Sequence, residues 1–129
     1  MNWRFLTRQA IEAMHGEQLR RHGGATGLRD ENALESALAR AENKTVYGEP
    51  TIHDLAAAYL FGLARNHAFV DGNKRIAIVA AGTFLLLNGY ELTADQGTVY
   101  AFVMAVAAGE IDEQGIVRFL QDFTQPLGE

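Results

Sequence analysis

His67-Ala68-Phe69-Val70-Asp71-Gly72-Asn73-Lys74-Arg75 runs directly into Ile76-Ala77-Ile78-Val79-Ala80-Ala81-Gly82-Thr83-Phe84-Leu85-Leu86-Leu87, and this junction decides how the chain folds. The second stretch carries no charge and is apolar on nearly every side of a helix, which a surface helix cannot be. It is therefore predicted as the central helix of the fold, over about 73–88, with Gly89 in the place of a terminating C′ glycine. Asp71-Gly72 favours a tight turn, because glycine accepts positive φ without a Cβ clash. That turn sits on the start of the helix, where the first N–H groups lack intrahelical partners and the dipole favours anions. Lys74 and Arg75 place cations at the end of a helix that disfavours them, a misfit explained if an anion occupies the site. A base, a carboxylate, a turn and two cations together suit the handling of a polyphosphate.

Outward from this junction the chain reads as helices. Thr7 can cap a first helix containing Ile11, Met14 and Leu19, which Gly23-Gly24 ends, and residues 22–30 form a loop. Asp30 or Asn32 starts a second helix, Asn32 having Glu35 at capping-box spacing, with Leu34, Ala37, Leu38 and Ala41 on one face and fraying near Asn43. Thr51, with Asp54 three residues on, starts a third that runs to about Asn66. Val99, Phe102, Val103 and Val106 mark a fifth, ended by Gly109; Asp112 opens a sixth with Ile116, Val117, Leu120 and Phe123 inward. Only Tyr90-Glu91-Leu92 suggests a short extended piece. The expectation is one all-α domain over 1–129, a bundle of about six helices.

Composition narrows the function classes. The 129 residues are 48% hydrophobic and 21% charged, a globular balance. A net charge of −5 argues against nucleic acid as the main partner, since phosphate backbones are bound by clustered Lys and Arg. The absence of cysteine excludes a disulfide framework and thiolate metal sites and suits a reducing cytoplasm. The start has no apolar signal region, and the apolar run is shorter than the ~20 residues that cross a bilayer. No membrane role is expected.

Within the junction, His67 is a candidate general base toward an incoming hydroxyl, because an imidazole beside a phosphate-binding turn can take its proton. Asp71 reads both as a turn former and as a hard-oxygen ligand for Mg²⁺. Phe69 reads as a core anchor of the loop. Elsewhere, His53-Asp54 is the dipeptide of metal-dependent helical phosphohydrolases, but a cap with Thr51 already accounts for Asp54. His15 and His22 read as surface or packing residues, and Arg29 reads either as an ion-pair partner or as a contributor to the site. Gly72-Asn73-Lys74 lacks P-loop spacing.

The nine residues resemble the Fic-type motif HxFx[DE]GN[GK]R, in the form typical of the death-on-curing (Doc) toxins. Gly24-Ala25-Thr26-Gly27-Leu28-Arg29-Asp30, Leu34-Glu35-Ser36-Ala37 and Tyr47-Gly48 extend the likeness over nearly the whole chain. Fic enzymes that transfer AMP usually have glycine at the position of Lys74, a second arginine at that of Ile78 and proline at that of Ala68; all three differ here. The resemblance therefore implies an all-α Fic fold and a protein kinase using ATP and Mg²⁺. Its catalytic residues would be His67, Asp71, Lys74 and Arg75, its nucleotide residues Phe69, Gly72, Asn73, Lys74 and Arg75, and its metal ligand Asp71. It also implies a toxin that blocks translation by modifying elongation factor Tu. No match to the inhibitory pattern [ST]xxxE[GN] occurs, since Leu38 stands where Ser or Thr is required before Glu42-Asn43; the expected restraint is an antitoxin acting in trans, whose tail folds into a groove. AMP transfer and a nucleotide-binding module without turnover are the competing readings.

Overall fold

A computed structural model of the protein describes residues 2–128. The order of elements is α1 (Arg8–His22), α2 (Glu31–Val46), α3 (Ile52–Arg65), α4 (Asn73–Leu87), β1 (Tyr90–Leu92), α5 (Gln96–Ala107), α6 (Glu113–Phe123) and β2 (Thr124–Pro126). The fold is all-α, as the periodicity predicts, with one two-stranded antiparallel ribbon that pairs Tyr90 with Pro126, Glu91 with Gln125 and Leu92 with Thr124. No described helix is long and apolar enough to cross a membrane.

Local sequence sets most of the helix starts. Thr7 accepts from the Ala10 N–H, and Asp95 and Asp112 accept from Thr98 and Gly115, each satisfying one orphan donor of a first turn. Thr51 and Asp54 make both halves of a capping box. The second helix departs from expectation at both ends. Asp30, not Asn32, is its cap, accepting from the Ala33 N–H, and the helix continues past Asn43 to Val46. Asp30 wins because its backbone is extended, as an N-cap requires, while Asn32 is already helical.

The centre is shared by α3 and α4. α3 packs on α2, α4, α5 and α6, while α4 packs on α1, α3, α5 and β1. Helix α3 buries Leu55, Tyr59, Leu60 and Leu63 among ten buried residues, and α4 buries Ile76, Ala80, Phe84 and Leu85 against it. Gly62 allows α2 to come close: a Cβ there would lie 3.0 Å from the Cα of Ala37. The Tyr59 hydroxyl, in this core, accepts from the Leu6 N–H at 2.9 Å and ties the N-terminal segment down. Burial pushes that phenol up to about 12. The packing of α3 against α4 fixes the ends of the loop 66–72 that joins them, and that loop carries most of the candidate chemistry.

Candidate active site

The loop is held from three directions. On one side lies the segment after α1: Leu28 stands opposite Phe69 in an antiparallel bridge, flanked by Arg29 N–H to Ala68 O at 2.7 Å and Val70 N–H to Gly27 O at 3.0 Å. This is a non-hydrogen-bonded pair, so the N–H and C=O of Phe69 face the other way. There the Asn73 side chain takes both, Oδ1 accepting from Phe69 N at 3.1 Å and Nδ2 donating to Phe69 O at 2.9 Å. From α1, the His15 Nε2 meets the Asp71 carbonyl at 2.7 Å, and its ring stacks on Phe69 with centroids 3.7 Å apart.

His67 is exposed and has φ +52, the one non-glycine residue with positive φ among those described. A left-handed conformation costs a side chain of this kind on the order of 1 kcal/mol and persists only where neighbours over-determine it. The neighbours are visible: Arg29 Nε donates to the His67 carbonyl at 2.9 Å, and the next carbonyl, that of Ala68, receives the N–H groups of both Arg29 and Asp30. Of the two readings of Arg29, its bond to the backbone of the candidate base makes it a clamp at the site.

Asp71 is exposed, with Oδ1 accepting from its neighbour Gly72 N at 2.9 Å and Oδ2 from Ala25 N at 3.3 Å. Each oxygen therefore carries one bond and keeps a further lone pair. Gly72 then enters α4 at φ +78, and α4 is the one helix without a side-chain cap among those described. Its first-turn N–H groups have neither a cap nor an intrahelical acceptor. Lys74, partly buried in that turn, has no ion-pair partner among the described residues.

Arg75 links this helix start to a cleft of about 630 Å³, lined also by Gln18, Arg21, His22, Gln96 and Tyr100. Its guanidinium lies 5.6 Å from the centre of the Tyr100 ring, within cation–π range. The cleft's other rim is the start of α5, where bonds from the Thr98 N–H and hydroxyl hold the Asp95 carboxyl below its ordinary range.

The residues singled out by sequence fall into three groups. His67, Asp71, Gly72, Lys74 and Arg75 are brought together on one loop and one helix turn. Phe69 is 3% exposed and packs against His15, and Asn73 is occupied with Phe69; both shape the loop. His53 and Asp54 lie elsewhere, Asp54 being engaged in its cap, and no group of three or more His, Asp or Glu that could hold a metal occurs among the described residues. Among the described residues His53 and Asp54 belong to no such group. A single magnesium ion is a different demand, since it keeps waters and takes phosphate oxygens as ligands, and one carboxylate with free lone pairs meets it.

The sequence around this site is similar to that of known proteins. The Fic/DOC family model matches residues 5–85. Over 119 residues the chain is 30% identical to the "Protein kinase doc" of Escherichia phage P1, covering 92% of this chain and 94% of that protein. Over 76 residues it is 54% identical to "Toxin Doc" of Mycolicibacterium smegmatis, a stretch covering 57% of this chain and 58% of that relative, less than two thirds of its length. The loop, the uncapped start of α4 and the segment that clamps them lie inside the matched region, and the chain belongs to the Fic/Doc family.

Proposed function

We propose that this chain is the toxin of a toxin–antitoxin pair and acts as an ATP-dependent protein kinase on a serine or threonine hydroxyl of a translation factor, elongation factor Tu. The observation that carries the reading is the uncapped start of α4, with Lys74 and Arg75 in its first turn and the strained, exposed His67 on the loop leading into it. Phosphoryl transfer asks a protein chiefly for positioning and for charge stabilisation, and this turn offers both. The name of the phage relative, a protein kinase over nearly the whole chain, favours transfer of the terminal phosphoryl group over that of AMP.

In this reading the His67 imidazole takes the proton of the target hydroxyl as its oxygen bonds to the γ-phosphorus. The bond from that phosphorus to the bridging oxygen breaks, and ADP leaves. The first-turn N–H groups of α4, with Lys74 and Arg75, stabilise charge on the transferring oxygens. Asp71 is the residue that would hold Mg²⁺, and the ion would supply neutralisation of phosphate charge. The cleft shared by Arg75 and Tyr100 has the volume and the mix of aromatic and amide groups that a nucleoside requires. An antitoxin segment covering that cleft in trans would restrain the enzyme, consistent with the missing inhibitory pattern.

Intact-mass measurement of elongation factor Tu after incubation with the protein and MgATP tests this. A mass gain of one phosphoryl group is expected. A gain of an adenylyl group refutes the kinase assignment, and an unchanged mass refutes the target.

A further inference from the structure

Apart from the Tyr59 hydroxyl, His15 carries the one polar side chain buried among the described residues, at 4% exposure in the middle of α1. A buried imidazole needs a partner, and its partner is the backbone carbonyl of Asp71, 56 residues along the chain. Because the acceptor is a carbonyl, Nε2 must carry the hydrogen, which fixes the tautomer. The same ring lies parallel to Phe69 within 14°, and a Cβ on Gly72 would sit 3.4 Å from Nε2. One side chain thus touches residues 69 and 71 and closes the space beside residue 72.

We propose that His15 is a positioning residue for the transfer reaction, locking the Asp71–Gly72 peptide in one of its two orientations; this rests on the phosphotransfer reading above. A peptide unit is planar, so its C=O and N–H point in opposite directions. With the Asp71 carbonyl held inward by His15, the Gly72 N–H points outward, where it bonds Asp71 Oδ1 at 2.9 Å and orients the carboxylate. Gly72 by itself does not secure this arrangement, because glycine populates positive and negative φ about equally and the peptide can flip. The bond from His15 removes that freedom. The position of the Asp71 carboxylate and the entry into the first turn of α4 both follow from it.

The test uses His15→Phe, which keeps volume and stacking but loses the donor, and His15→Gln, whose side-chain amide can donate to the same carbonyl. The first readout is the Gly72 backbone amide resonance in ¹H–¹⁵N spectra of the full chain. It is expected to shift or double in His15→Phe and to return toward the wild-type position in His15→Gln. The second is steady-state transfer: kcat is expected to fall by about tenfold or more in His15→Phe with KM for ATP within about threefold, and to recover in His15→Gln, since small misplacements cost this much. A Gly72 resonance unmoved in folded His15→Phe overturns the proposal, as does a folded His15→Gln no better than His15→Phe in both readouts. Should the wild-type protein transfer nothing, the kinase reading fails and the Gly72 resonance alone decides whether His15 holds the turn.

Discussion

Replacing Asn73 by alanine removes two hydrogen bonds at once and leaves both backbone groups of Phe69 without partners. These bonds, at 3.1 and 2.9 Å, are partly shielded from water, and the bridge to Leu28 directs Phe69 so that no strand neighbour can replace them. Two net hydrogen bonds at about 1 kcal/mol each, with a further penalty for partly desolvated orphans, give a loss of roughly 2–3 kcal/mol. Alanine's better helix propensity returns less than about 0.7 kcal/mol of this. With a urea slope of roughly 1–3 kcal/mol per molar, the unfolding midpoint followed by circular dichroism should fall by about 0.5–3 M. Asn73→Asp keeps the acceptor for the Phe69 N–H but sets a carboxylate oxygen against the Phe69 carbonyl, so it should also destabilise. An alanine variant within about 0.5 kcal/mol of wild type would refute the reasoning and return Asn73 to the role of a free phosphate ligand.

Other consequences can be measured on the same protein. His67→Gly should leave stability within about 0.5 kcal/mol, because relief of the left-handed conformation is offset by glycine's extra chain entropy, while transfer drops by about a hundredfold or more. Burial raises the Glu113 carboxyl, but bonds from Lys44 at 2.9 Å and from Arg40 outweigh it and hold the carboxyl below its ordinary range. A depressed folded pKa contributes stability above the unfolded carboxylate range, near ~4.3, and loses it as pH falls through the folded value, so Glu113→Gln should destabilise by about 1 kcal/mol near neutrality and the gap should close toward about pH 3 in urea titrations. Asp54→Ala should cost about 0.5–1 kcal/mol through its cap and leave transfer unchanged; lost transfer in a folded variant would point to a chemical role for Asp54.

The parts of this fold that were legible in the sequence are those decided within one turn of helix. Thr7, the Thr51–Asp54 box, Asp112 and the uncharged 76–87 run each act on neighbours a few residues away, and each does what its spacing predicts. Pairing of β1 with β2 is a contact across 34 residues, and three residues of Thr124-Gln125-Pro126 carry no alternation by which to foresee it. The loop 66–72 divides the same way. Its Asp-Gly turn and its helix start could be read, whereas the contacts that hold it come from Arg29 and His15, 38 and 56 residues distant. One signal for His15 was present: it lies four residues after Ile11 and four before Leu19, on the buried stripe of α1. Asn73 misleads for the opposite reason, because an amide at the start of an anion-binding helix looks like a ligand until its bonds to Phe69 are seen.

The central claim is that the turn from His67 to Arg75 moves the terminal phosphoryl group of ATP to a protein hydroxyl. Parallel reactions of elongation factor Tu with the wild-type protein and His67→Ala, using ATP labelled on the γ- or the α-phosphate, test it most directly. Label from γ alone, lost in His67→Ala, is the predicted result. Label from α, or γ label undiminished in His67→Ala, would contradict it.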